Sequence, residues 1–494
     1  MKIGDTVSEK SISKNAIFNM LNRFLTVIFP LVIISYVSRI LGASGVGCVS
    51  SAQNFSTYFT MIAALGIPSY GVRAIAQTRN NKKMSDKVFT ELYIINLIST
   101  CICVIIYMIF LKFMNLDNLS RKLYLLFSIL VVFNVFNIEW VYQGFEEYKY
   151  ITIRNFVIKC SSLVLLFVFV KTEKDVIGYG IIVCFGTVGN YLLNMVNLNK
   201  YVKFNFNSIN LIQHILPVLT FFGSVVAIEI YSLLDVTMLT HMTNSYYVGY
   251  YSNSTKIVKT IAGTLTAISA VLLPRLSLYY SLNDYKKIKK TSYQFLMITL
   301  ILAIPSVIGL YLLADQAVIL VLGNEFIPSI QTIRILTFLI ICMPLSGGIF
   351  CQLLLTVGKE KEYLISVSMG AFLNMILNYI MISKWYQNGA ALASVLSEVV
   401  VSALMVYFSR KIIKLNLMIR HIAQLAVANG SMYVVLKIMI RFTNNLSIPI
   451  IIRLAIEVLF GGLVYILILF LMKNEYCMEI IYKLTKTKKE SIQG

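Results

Sequence analysis

The residues that could do chemistry in this chain are the few ionisable side chains set inside long apolar runs: Arg23, Arg39, Glu139, Glu229, Asp235, Lys256, Lys259, Arg334 and Glu398. A charge in hydrocarbon is costly, so such groups face a partner, a polar cavity or the headgroups. The cations suit recognition of an anion. The carboxylates suit holding those cations while no anion is bound. The densest cluster has Glu229 and Asp235 before a short turn and Lys256 and Lys259 after it, the lysines three apart on one helical face. At ~1.5 Å rise per residue, Asp235 matches Lys256 in depth, and Glu229 matches Lys259, if the turn lies near residues 241–249. Either two interhelical ion pairs form, or the carboxylates release the lysines to a competing anion. The pair is favoured for Asp235 with Lys256; Lys259 is the candidate for the ligand role, with its pairing to Glu229 the alternative.

Arg23 either meets an anionic substrate group or snorkels to the inner headgroups. Arg39, two residues from the outer end of its run, is expected to snorkel or cap. Arg334 and Glu398 are assigned to line the second half of the molecule. Glu139, beside Trp140, is a gate residue or an interfacial structural group, and the structural role is favoured. The amides of Asn190, Asn194 and Asn197, and of Asn374 and Asn378, follow helical spacing and are expected to bridge helices. Pro30, Pro217, Pro305 and Pro344 each remove a backbone hydrogen bond and can bend a helix. The helix of Pro30 is expected to be the moving gate, and that of Pro344, followed by Gly347 and Gly348, the next most pliable.

The elements that position these groups are fourteen apolar runs, at 16–41, 47–68, 89–111, 123–144, 155–170, 176–199, 212–240, 250–273, 291–314, 327–357, 362–383, 388–408, 421–436 and 448–472. Each is about long enough to cross the ~30 Å hydrocarbon core as a helix. Lys and Arg gather in alternate gaps: 29 on one side and 8 on the other. Cationic short loops stay in the cytoplasm, which predicts that both termini are cytoplasmic. The first thirteen residues are largely polar, so no cleavable leader is expected and the chain inserts whole.

A 58% hydrophobic content and a mean hydropathy of +0.78 exclude an ordinary soluble protein. The net charge of +21 is spread over short loops, which speaks for topology and anionic headgroups and against nucleic-acid binding. The eight cysteines read as small core hydrophobes, and three histidines without neighbouring ligands give no metal site. No phosphate-loop motif occurs, which excludes a built-in ATPase motor. No outer gap is long enough for the catalytic loop of a membrane polymerase or ligase.

Val46-Gly47-Cys48-Val49-Ser50 resembles Val248-Gly249-Tyr250-Tyr251-Ser252 at an offset of 202 residues. A parallel repeat of six plus six helices follows, with two helices left over. The expected division is a cytoplasmic segment 1–13, an N-lobe 14–210, a C-lobe 211–416, a final pair of helices within 417–472 and a cytoplasmic tail 473–494.

Several stretches together resemble the Wzx-type oligosaccharide flippases of the MATE-like multidrug/oligosaccharidyl-lipid/polysaccharide superfamily. They are Ser38-Arg39-Ile40-Leu41-Gly42 with Gly45-Val46-Gly47, then Leu65-Gly66-Ile67 with Tyr70-Gly71-Val72-Arg73. Glu139-Trp140-Val141-Tyr142-Gln143-Gly144 follows, with Glu146, Lys149, Tyr150 and Arg154. Later come the second Val-Gly stretch with Lys256, Leu273-Pro274-Arg275-Leu276-Ser277, Pro305 with Gly309-Leu310, Leu322-Gly323, and Gly389-Ala390-Ala391 leading to Glu398. The resemblance implies an all-α, fourteen-helix, two-lobed bacterial inner-membrane transporter without enzymatic activity. Its substrate would be an undecaprenyl-diphosphate-linked oligosaccharide, moved to the outer leaflet by alternating access for polysaccharide export. No cofactor is implied; a coupling ion, proton or sodium, and a polysaccharide polymerase as partner are open. In this setting Arg23, Lys256, Lys259 and Arg334 are the candidate diphosphate ligands, and Pro30, Arg39, Glu139, Glu229, Asp235 and Glu398 the candidate gating or charge-pairing residues. A cation-coupled small-molecule exporter of the same superfamily is the alternative, disfavoured by the extra helix pair.

Overall fold

The computed structural model describes residues 12–269, 272–410, 412 and 419–478; the side chains of 12–28, of 419 and of five positions between 224 and 231 lie outside the description. Among the described residues no strand occurs. Eleven helical stretches among the described residues are long and apolar enough to cross a membrane. Two of them are double. Gly42 (φ 66°, ψ −177°) breaks the 53-residue helix Ile12–Ala64, and Tyr386 (φ 48°, ψ −126°) breaks the 50-residue helix Glu360–Ser409. Counting these halves separately and adding Ile212–Met242 gives fourteen spans. They correspond one to one with the apolar runs of the sequence.

We label them α1 (12–41), α2 (43–64), α3 (Lys82–Phe113), α4 (Asn118–Gly144, with a 3-10 turn inside), α5 (Tyr148–Phe169), α6 (Val176–Tyr201) and α7 (Ile212–Met242). They continue as α8 (Ser245–Ser269), α9 (Tyr285–Leu312), α10 (Ser329–Thr356), α11 (360–385), α12 (387–409), α13 (Ile419–Asn444) and α14 (Ile450–Leu471). Side-chain caps start several of them. Asn81 accepts from the Met84 amide (3.3 Å) before α3, Asp117 from Leu119 (3.0 Å) before α4, and Asp284 from Lys287 (3.0 Å) before α9. The bonds to Lys287 hold the Asp284 carboxyl below its ordinary value.

Glycine is required at the α1–α2 break, because the positive φ of Gly42 is open to it without steric cost. At the α11–α12 break the chain doubles back closely. A Cβ on Gly389 would lie 2.1 Å from the Met381 carbonyl oxygen. The helix of Pro30 runs on through that proline to Gly42, whereas Pro344 opens a π-helical stretch, Pro344–Phe350, inside α10.

The chain divides into two compact units, residues 1–249 and 250–494. In the first, α1 and α2 pack against α3, α4 and α5. The helix α7, expected to open the second lobe, packs within the first unit against the α1–α2 pair and the short helix Ile67–Thr78. The core there includes Phe89, Trp140 and Val141, with the Trp140 ring lying against Gly71. In the second unit the core gathers Leu296, Met297, Phe350, Met405 and Tyr465 from α9, α10, α12 and α14. Large apolar side chains such as Ile105, Phe110, Phe169, Leu459 and Leu463 are each more than half exposed. So much outward apolar surface is stable only against lipid, and the protein is a multi-span membrane protein.

The two Val-Gly stretches meet within the first unit. A Cβ on Gly47 would lie 1.8 Å from the Ser245 carbonyl oxygen, and one on Gly249 would lie 2.0 Å from that of Ala43. Ala43 and Gly47 are separated from Ser245 and Gly249 by the same 202 residues that relate the repeat. The contact is therefore reciprocal between the two stretches. Ser44 and Ser245 share a hydrogen bond of 2.8 Å at the same place.

Candidate functional site

Polar clusters interrupt the apolar interior of the first unit. The first joins α4, α5 and α6. Arg154, 3% exposed, donates to the carboxylate of Glu139 and to the side-chain oxygen of Asn194. Asn194 in turn donates to the Phe136 carbonyl (3.2 Å), and Gln143 donates to Glu139 (3.1 Å). The Tyr142 hydroxyl closes the cluster on the Asn194 carbonyl. Sequence reasoning singled out Glu139 and Asn194 separately but not Arg154 as the residue that joins them. Glu139→Gln is expected to lower stability by roughly 2–3 kcal/mol, less than for a fully buried pair because the carboxylate side chain is 32% exposed. Arg154→Met added to it should recover most of the loss. Thermal unfolding in detergent measures both, and additive losses would show that the two charges act separately.

The second cluster was not foreseen. Glu91 of α3 is fully buried and accepts from His214 (2.9 Å), Gln213 (3.0 Å) and the Asn210 amide (2.7 Å). Lys87 lies 3.9 Å from it, and the Tyr70 hydroxyl bonds the far nitrogen of His214 at 2.9 Å. It ties the entry of α7 to α3 and to the helix Ile67–Thr78. A carboxylate near the start of an apolar run was the available signal; its partners lie more than a hundred residues away. Asp235 of α7 is buried as well, and Glu229 is exposed. The third cluster, between α2 and α7, joins Asn54, Tyr58 and Thr237 through bonds of 2.8 and 3.0 Å.

In the second unit, α8 carries a polar stripe. Ser252, Thr255, Lys256 and Lys259 recur at helical spacing, and both lysines are half-buried. The Ser252 and Thr255 hydroxyl oxygens are buried without a hydrogen-bond partner among the described residues. Within this unit neither ammonium meets a carboxylate among the described residues. Buried polar atoms are normally satisfied, so such a stripe suits a polar ligand. The expected partners Asp235 and Glu229 belong to the other unit.

Glu398 of α12 is buried and accepts from Ser346 in the π-helical stretch of α10. The π stretch disturbs the ordinary ladder. The Cys342 carbonyl is met by the hydroxyls of Ser346 (3.0 Å) and Ser402 (3.2 Å). Arg334 grips Asp315 with two bonds, 3.0 and 2.9 Å, and its guanidinium lies 5.8 Å from the Tyr311 ring centre. Its charge is thus already matched by a carboxylate. Glu457 of α14, missed in the sequence, is fully buried on neutral donors, Gln316 (3.1 Å) and Thr443 (2.5 Å). Pro30 is half-buried, Arg39 is exposed three residues before the Gly42 break, and the side chain of Arg23 lies outside the described residues.

A protein described as an O-antigen transporter from Shigella dysenteriae is 23% identical over 408 residues, covering 81% of this chain and all of that one. Its counterpart from Escherichia coli K12 is 24% identical over 416 residues, covering 81% of this chain and 97% of that one. Among solved structures, the lipid II flippase MurJ in an inward closed conformation superposes with a TM-score of 0.73 at 16% identity, covering 94% of this chain and 99% of that one, which establishes the shared fold. The profile of the family described as polysaccharide biosynthesis protein matches residues 12–279. That match spans more than half of the chain, and the chain belongs to the polysaccharide biosynthesis protein family.

Proposed function

We propose that the protein is a flippase that carries an undecaprenyl-diphosphate-linked oligosaccharide from the inner to the outer leaflet of the bacterial cytoplasmic membrane by alternating access. The observation that carries this reading is the polar stripe of α8, two lysines beside buried hydroxyls without partners. A diphosphate bearing sugars loses its hydration in hydrocarbon unless the protein replaces it with cations and hydroxyls. The O-antigen transporters that match over 81% of the chain support a glycan on a lipid carrier as the cargo. Lys256 and Lys259 are the first diphosphate ligands in this reading, with Arg23 as the cation met on entry. Arg334, engaged by Asp315, has a smaller part. A polysaccharide polymerase is the natural consumer of the product outside.

Orientation is part of the proposal, with both termini in the cytoplasm. Reporter fusions at Lys14 and after Lys489 should give cytoplasmic signals, and one at Asn244 an external signal. In cells lacking the protein, lipid-linked oligosaccharide should accumulate on the inner leaflet and polysaccharide export should stop. An external terminus, or export that continues undiminished, would refute the reading.

A further inference from the structure

At one end of the second unit, where α9 and α13 begin and α14 ends, lies a partly open cavity of about 620 Å³. That volume lies within the ~300–1,000 Å³ typical of small-molecule sites. Its wall carries Lys286, Lys289 and Lys290 from the first turns of α9, with Tyr293 one turn further on, His421 from α13, and Glu475 and Tyr476 from the turn after α14. Three cations on one turn repel one another, and the single carboxylate of Glu475 answers only one of them. The neighbouring Lys287 is turned away, 3.0 Å from Asp284 and 5.7 Å from the Tyr279 ring centre.

The back of the cavity is aromatic and held in place. The rings of Tyr293 and Tyr476 lie 6.0 Å apart, and those of His421 and Tyr476 lie 5.2 Å apart. Behind them the buried Asn474 donates to Gln424 (2.7 Å), Gln424 donates to the Met472 carbonyl (3.0 Å), and Asn474 accepts from the Cys477 amide (3.2 Å). The Nδ1 atom of His421 is buried and has no hydrogen-bond partner among the described residues. A preformed wall, lined by the His421 ring and the two tyrosines, and an excess of cations form a built anion site. None of these residues belongs to the α8 stripe.

We propose that this cavity binds a phosphoryl group, carried either by an anionic phospholipid headgroup or by a free phosphate or phosphate ester. The lysines supply the charge, His421 a directed hydrogen bond, and the two tyrosines the walls against which a glycerol or sugar moiety rests. Its place at the ends of three spans, where helices leave the hydrocarbon, fits a headgroup, since basic pockets between transmembrane helices hold anionic lipids there.

The test uses the full-length protein in phosphatidylcholine nanodiscs, titrated with phosphatidylglycerol and, separately, with inorganic phosphate and glycerol phosphate. Binding is read by native mass spectrometry and by the rise in unfolding temperature. The wild type should prefer phosphatidylglycerol over phosphatidylcholine, and the variant K286Q/K289Q/K290Q should bind it roughly tenfold more weakly. Lys287→Gln, which removes the same kind of charge outside the cavity, should leave binding within roughly twofold. His421→Phe keeps an aromatic ring but removes the nitrogen, and should weaken binding several-fold even if the triple variant folds poorly. Phosphatidylglycerol retained against millimolar phosphate identifies a lipid site; displacement by phosphate or glycerol phosphate identifies a soluble ligand. Both support the phosphoryl site. Equal affinity for phosphatidylcholine and phosphatidylglycerol with no response to phosphate would overturn it, as would unchanged binding in K286Q/K289Q/K290Q and His421→Phe. The readout is binding, so its failure leaves the transport reading untouched.

Discussion

Replacing Gly47 or Gly249 by alanine is expected to remove most of the folded protein from the membrane. The added Cβ would fall 1.8 Å from the Ser245 oxygen in one case and 2.0 Å from the Ala43 oxygen in the other. Both obstacles are backbone, so no rotamer change relieves them and the helices must part. Overpacking of this kind costs roughly 3 kcal/mol, a shift of over a hundredfold in the ratio of folded to unfolded protein. The controls are Gly223, Gly263 and Gly430, where a Cβ meets nothing within 4 Å. Alanine there should leave abundance unchanged or slightly raised, because helix propensity improves by about 0.5–1 kcal/mol. Membrane abundance and thermal unfolding of the five variants decide the matter. A Gly47→Ala protein that unfolds with the wild type would show that the two Val-Gly stretches are not tightly joined.

The second large effect concerns Lys256 and Lys259. Each methionine variant keeps the apolar stem of lysine and loses only the charge, so folding should be preserved. Export should nevertheless fall by at least roughly tenfold in either single variant, since a diphosphate would lose a charge-assisted contact worth about 1.5–3 kcal/mol. Arginine at either position should restore part of it. Normal export from the double variant Lys256→Met/Lys259→Met would remove α8 from the transport path.

The fourteen spans were legible because hydrocarbon imposes one requirement on every spanning segment: enough consecutive apolar residues to hydrogen-bond their own backbone. The breaks were legible less evenly. Pro30 announced a bend, yet α1 ends at Gly42, where a positive φ rather than a missing amide proton ends the helix. Pro344 with Gly347 and Gly348 did mark irregular backbone, realised as a π stretch with serine hydroxyls on the carbonyl of Cys342 just before it. The repeat visible as two short Val-Gly motifs acquired a reason only in three dimensions, where each glycine admits the backbone of the other copy. The buried clusters were the least legible. Glu91 and His214 lie 123 residues apart and Glu139 and Arg154 lie 15 apart, and neither spacing follows a helical period. A lone carboxylate in an apolar run tells of a partner without naming it.

The most direct test of the account is leaflet transfer in proteoliposomes. Purified protein is reconstituted with an undecaprenyl-diphosphate-linked oligosaccharide whose sugars carry a label, and the externally accessible fraction is followed with a membrane-impermeant glycosidase. The account predicts protein-dependent transfer well above that of empty vesicles, and transfer near the empty-vesicle rate for Lys256→Met/Lys259→Met at equal protein content. Transfer by the wild type no faster than in empty vesicles, under an imposed proton or sodium gradient as well as without one, would contradict it.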